Sequence, residues 1–170
     1  WGTPAACGGG QVCAGGVCQG GGAVSWKVVA SPTNQPLREV WGSGANDVWA
    51  VGSGGTIIHW DGNAWTASAS GTVQDIQAIW GSSPTNIYAV TGTVGTPEIL
   101  RYDGAKWTKS TPLGAVAGIS DVWGTGPNDV WVVGTAFAGG GQYTDYAARF
   151  DGNAWTVYAG AQGPNLGIWA

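Results

Sequence analysis

A β-propeller of four-stranded antiparallel blades is the all-β fold that this sequence predicts, on three observations. Tryptophan-centred segments recur at spacings of 39, 43 and 46 residues, counted from Trp41 to Trp80, Trp123 and Trp169. Each period divides into four short apolar pieces joined by Gly, Asn, Asp and Pro, the residues that give hairpin turns their positive φ or preset angles. Composition agrees: 32 Gly, 8 Pro and 12 Trp in 170 residues suit many tight turns between short strands. A hydrophobic share of 44% rules against disorder. Four strands per period of about 40 to 45 residues are the mark of a propeller blade.

The chain begins with a Gly- and Cys-rich leader, residues 1–22, and the blade region follows over 23–170. Cys7, Cys13 and Cys18 lie among Gly, Ala, Val and Gln, a stretch that builds no core of its own. Disulfides are the staple such a piece calls for, which places the chain in an oxidising compartment, secreted or at the cell surface. Three is an odd number: a fourth cysteine lies upstream of Trp1, or one thiol is free or pairs with another chain. A zinc centre is the rival reading, but His59 is remote and a four-cysteine set is incomplete. Neither a metal nor a cofactor is expected. Gly20-Gly21-Gly22 reads as a flexible joint. A chain that opens on Trp1 and contains no Met reads as a processed product, an expressed segment or a piece of a longer polypeptide.

Ser25–Val29 matches the fourth strand of a preceding blade. Three complete blades follow, at about 37–69, 76–110 and 119–159, and Leu166–Trp169 opens another first strand. In the first blade the strands are expected at Leu37–Trp41, Val48–Val51, Thr56–Trp60 and Ala64–Ala69. Eleven of the twelve tryptophans occupy repeat positions, so they are expected to fill the space between blades rather than to bind ligand. Closed propellers use about 4 to 8 blades. Three with partial strands imply an open fragment of a longer propeller, or copies that assemble into a ring or filament.

The motifs Val40-Trp41-Gly42-Ser43-Gly44-Ala45-Asn46-Asp47-Val48-Trp49 and Asp61-Gly62-Asn63-Ala64-Trp65, with their later copies, resemble the tryptophan-rich repeats common in secreted proteins of myxobacteria and similar bacteria. The likeness runs from Ala23 onward, and the leader is similar to short cysteine motifs that precede domains in such proteins. It implies a propeller fold and a bacterial, extracellular setting. The second blade departs from the pattern with Asn86-Ile87-Tyr88.

Chemistry is sparse. The six basic residues are scattered and the net charge is −4, which excludes a nucleic-acid footprint. No apolar run approaches the roughly 18 residues that span a bilayer. With one histidine, no nucleophile elbow and no phosphate loop, no catalytic triad is supplied. The carboxylates of the Gly-x-x-Asn-Asp and Asp-Gly-x-x-Trp turns are expected to cap backbone N–H groups. One carboxylate per turn falls far short of a calcium site. His59, Arg101 and Arg149 occupy one repeat position and read as solvated or cross-strand-paired.

The connections that vary between blades are Gly52–Gly55, Thr91–Glu98 and Gly134–Tyr146 within blades, and Ser70–Asp75, Thr111–Gly118 and Gly160–Asn165 between them. They share one face, where recognition is expected. The candidate ligand contacts there are Gln142, Tyr143, Asp145, Tyr146 and Glu98. The predicted function is a non-catalytic extracellular recognition module for a glycan or a surface protein. The alternative is a self-assembling surface or filament component joined through its blade ends. A third reading, a propeller hydrolase fragment, needs Glu98 and Asp145 to act as a pair.

Overall fold

The computed structural model describes residues 11–14, 17–20, 27–92, 96–110, 114 and 116–159. A small hairpin comes first, β1 (Gln11–Ala14) against β2 (Val17–Gly20), with Cys13 opposite Cys18 in its register. Cys7, Ser25, Trp26 and Leu166–Trp169 lie outside the described residues. Lys27–Val29, the described part of the expected fourth strand, is not in a strand. An extended segment becomes a strand only beside a ladder partner, and its local sequence cannot supply one.

Three antiparallel sheets of four strands follow, each in simple sequential order. The first holds β3 (Leu37–Gly44), β4 (Asp47–Gly52), β5 (Ile57–Trp60) and β6 (Trp65–Ser68). The second holds β7 (Ile76–Ser83), β8 (Asn86–Thr91), β9 (Ile99–Tyr102) and β10 (Trp107–Ser110). The third holds β11 (Val116–Gly126), β12 (Asp129–Gly139), β13 (Gln142–Phe150) and β14 (Trp155–Ala159). The blades therefore span 37–68, 76–110 and 116–159, close to the expected bounds. Strands one and two run further than expected, through Gly42 and Gly44. A register shift there lets the ladder continue to a two-residue turn at Ala45-Asn46.

Aromatic residues oppose one another across each blade: Trp41 and Trp49, Trp60 and Trp65, Tyr102 and Trp107, Phe150 and Trp155. All of these except Trp60 and Trp65 pack into the cores between blades. Between the first and second, Trp49, Val51 and Ile57 meet Ile76, Ile79, Ile87, Leu100 and Trp107. Between the second and third, Tyr88, Val90 and Ile99 meet Val122, Val130, Val132 and Tyr146. Burying such side chains stabilises by about 1.5–3 kcal/mol each. The innermost strands are also tied directly, because the Ile79 N–H donates to Glu39 Oε2 at 2.5 Å. Burial raises the Glu39 pKa above its ordinary value, against the lowering effect of that bond.

Candidate functional site

Each blade has two rims. At one, every blade repeats the same polar construction. Asp61 Oδ1 accepts the N–H groups of Asn63 and Ala64 at 2.8 and 2.9 Å. Asp103 and Asp151 do the same in their own turns, all four bonds at 2.9 Å. Those backbone bonds hold all three aspartates below the ordinary carboxylate pKa. The glycine after each aspartate has φ of 97°, 95° or 96°, a left-handed conformation that Gly takes without a Cβ penalty. The two turns of a blade abut, since a Cβ on Gly62 would meet the Asn46 side chain, and one on Gly104 would meet Thr85.

The expectation that Asp47 and Asp129 cap backbone N–H groups is corrected: their hydrogen bonds come from side chains. Asp129 Oδ1 accepts Arg149 Nε at 2.6 Å and Trp131 Nε1 at 3.0 Å, while Oδ2 accepts Thr125 Oγ1 at 2.6 Å. Asp47 is bonded to Ser43, to Trp49 Nε1 at 3.0 Å and to His59 Nε2 at 2.7 Å. In the second blade Asn86 takes Arg101 Nε at 3.1 Å and donates to Ser82 Oγ at 2.8 Å. The reason is position. Each Asx residue starts a second strand, where its side chain meets neighbours across the ladder rather than turning back on the loop. Hydrogen bonds outweigh desolvation and lower the pKa of Asp47, and bonds from Thr125 and Arg149 lower that of Asp129.

His59, Arg101 and Arg149 are cross-strand-paired, as expected. His59 stacks on Trp49 with ring centroids 4.1 Å apart. The guanidinium carbons of Arg101 and Arg149 each lie 5.8 Å from the ring centroids of Tyr88 and Trp131.

The other rim differs from blade to blade. In the first, Arg38 Nη2 bonds Asp75 Oδ2 at 2.7 Å, and the Gly54 N–H donates to Asp75 Oδ1 at 2.9 Å. These bonds join a within-blade turn to the connection between blades. They keep the Asp75 carboxyl below its ordinary pKa, the backbone bond from Gly54 first. Beside it, Val73, Gln74, Asp75, Gln77 and Gly92 line a groove of about 440 Å³. In the second blade, Thr91 Oγ1 accepts the Glu98 N–H at 2.8 Å and donates to Gln74 Oε1 at 2.7 Å.

The third blade corrects an expectation. Gly134–Tyr146 is not a loop: β12 and β13 continue as a hairpin that ends at Gly139-Gly140-Gly141, with φ of 84°, 58° and 76°. Near its tip Phe137 and Tyr143 stand opposite each other, 45% and 56% exposed, with ring centroids 5.5 Å apart. Gln142 is exposed and pairs with Gly139, and Asp145 is half-buried opposite Thr135. Tyr146 is 1% exposed and belongs to the core, so its ring is not offered to a ligand. Glu98 belongs to the second blade, where its Oε1 takes Lys109 Nζ at 3.0 Å, and it is not joined to Asp145 among the described residues. Sequence reasoning missed Phe137. The β-branched and aromatic content of Val130-Trp131-Val132-Val133, carried on by Thr135 and Phe137, was the available signal, a strand continuing where three glycines suggested a linker.

One invariant rim, one variable rim and aromatic cores between successive sheets define the blade plan of a β-propeller. Among solved structures the chain is similar to one described as YCF48 bound to D1 peptide, with a TM-score of 0.60 and 16% identity. The match covers 78% of this chain and 42% of that one, so the chain spans less than half of that protein's length. A likeness at that identity establishes the fold. No known family model and no curated protein matches the chain.

Proposed function

We propose that this chain is a non-catalytic, extracellular recognition module of a tryptophan-rich repeat protein, and that it takes a surface protein or a glycan at the variable rim. The exposed Phe137–Tyr143 pair carries this reading. Two exposed rings in tilted contact on a hydrogen-bonded hairpin present rigid apolar area at low entropic cost, which is what a recognition contact needs. The YCF48 structure holds a D1 peptide; that precedent within the fold favours a protein partner over a glycan.

The non-catalytic part rests on the carboxylates. Those of the invariant rim are engaged by backbone or side-chain donors, Asp75 by Arg38 and Gly54, and one oxygen of Glu98, Oε1, by Lys109. The extracellular part rests on the cysteine-rich leader. Among the described residues no helix is long and apolar enough to cross a membrane.

The test is binding of the chain to a glycan array and to a peptide array, beside the Phe137→Ala/Tyr143→Ala double variant. The expected result is a signal on one array that falls at least tenfold in the variant. No signal on either, or equal signals from both proteins, contradicts the reading.

A further inference from the structure

The second blade breaks the repeat at two positions, and both changes fall on one spot. Where the first and third blades carry Asp47 and Asp129, the second carries Asn86. His59 and Arg149 therefore meet a carboxylate, at 2.7 and 2.6 Å. Arg101 Nε instead donates at 3.1 Å to the neutral amide oxygen of Asn86. Among the described residues no carboxylate pairs with Arg101. All ten Asp and Glu residues of the sequence are described, so its other stretches do not supply one.

The second change is Tyr88, which stands where the others carry Trp49 and Trp131. Those indoles donate to their aspartates at 3.0 Å. Tyr88 is 2% exposed, and among the described residues its hydroxyl has no hydrogen-bond partner. A buried hydroxyl in that state calls for a partner of some kind. Tyr88 and Arg101 line one hollow of about 180 Å³ with Lys109, Phe150 and Trp155, between the second and third blades. The hydroxyls of Thr108 and Ser110 in its wall donate to backbone carbonyls, and Lys109 is held by Glu98. Spare donor capacity therefore lies in the Nη groups of Arg101 and the Tyr88 hydroxyl.

We propose that this hollow binds a small carboxylate with a flat apolar body, of the aromatic-acid class. The bound carboxylate takes the place of the missing aspartate. Its oxygens accept from the Arg101 guanidinium, whose planar fork matches a carboxylate, and from the Tyr88 hydroxyl. The Phe150 and Trp155 rings, with centroids 5.4 Å apart, wall the apolar end. At about 180 Å³ the hollow is smaller than the roughly 300–1,000 Å³ that drug-sized ligands occupy, which fits an acid with a single ring. The site shares no residue with the Phe137–Tyr143 pair, so it stands independently of recognition at the variable rim.

Titration of the full chain with benzoate, followed by NMR, tests this. Benzoate is expected to bind with a millimolar or lower dissociation constant and to shift the Trp155 indole N–H signal, assigned from Trp155→Phe. Benzamide lacks the charge and acetate lacks the ring, so each is expected to bind at least about tenfold more weakly. Asn86→Asp puts back the carboxylate that the other two blades carry and neutralises Arg101 from within. That chain is expected to fold as wild type does, checked by near-UV circular dichroism, and to lose about tenfold or more in benzoate affinity. Tyr88→Phe is expected to keep the fold and weaken binding about threefold to tenfold. Absence of benzoate binding, an unmoved Trp155 signal, or benzamide or acetate as tight as benzoate overturns the proposal. So does an Asn86→Asp or Tyr88→Phe chain that binds benzoate as tightly as wild type.

Discussion

Where β3 turns into β4 and β5 into β6, the residues repeat from blade to blade and so do their hydrogen bonds. Asp61, Asp103 and Asp151 each hold the same two N–H groups, and Asp47, Asn86 and Asp129 each hold a hydroxyl residue and a base. At the opposite rim the first blade uses an Arg38–Asp75 pair, the second a Thr91–Gln74 bond, and the third a projecting hairpin. Both rims bound the same interblade cores. The difference teaches that the repeat specifies the cores and one rim, and leaves the other free to change.

Four substitutions or conditions sharpen that contrast, and the largest effect lies in the core that both rims share. Trp49→Ala empties the joint between the first two blades and is expected to cost about 3–5 kcal/mol in urea unfolding. Next come the glycines that face a tryptophan of the preceding blade. Gly124→Ala drives a methyl against the Asp129 carbonyl and the Trp80 ring, at a cost of about 1–3 kcal/mol. A Cβ on Gly44 meets nothing within 4 Å, so Gly44→Ala stays within about 0.5 kcal/mol.

The third is pH. The aspartates at 47, 61, 103, 129 and 151 titrate below their ordinary 3.8 in the folded chain. Their stabilisation is complete above that value and is lost as the pH falls through the lowered pKa values. Thermal melts are therefore expected to weaken below about pH 4, and less steeply in Asp129→Asn. Glu39, shifted upward, acts with the opposite sign: it favours folding at low pH and withdraws that support as it ionises.

The fourth is Tyr88→Phe. Among the described residues the buried Tyr88 hydroxyl has no hydrogen-bond partner, so its removal is expected to leave stability unchanged or raise it by up to about 1 kcal/mol.

Much of this fold was legible in the sequence because the repeat states it three times. The tryptophan spacing gave the blades, and Asp-Gly-x-x-Trp gave the turn at each third-to-fourth strand joint with its capping aspartate. What stayed hidden depends on partners that local sequence does not name. Lys27–Val29 reads as part of a strand, but a ladder needs a neighbour. Asp129 reads as a turn cap, but its place at the start of β12 turns its carboxylate toward Arg149 and Trp131. Gly139-Gly140-Gly141 reads as a linker, yet the pairing of the strands on either side makes it the tip of a hairpin. Of the candidate contacts, Tyr143 and Gln142 are exposed there, while Tyr146, three residues on from Tyr143, faces the core.

The most direct test of the two-rim account is a pair of thermal melts beside wild type. One variant replaces residues 137–143 with an Asn-Gly turn between Ala136 and Thr144; the other is Asp129→Asn. The account predicts that the trimmed hairpin melts within about 2 °C of wild type, because β12 and β13 keep their core-facing register, while the single substitution lowers Tm by more. A trimmed chain that unfolds, or an Asp129→Asn chain as stable as wild type, would contradict it.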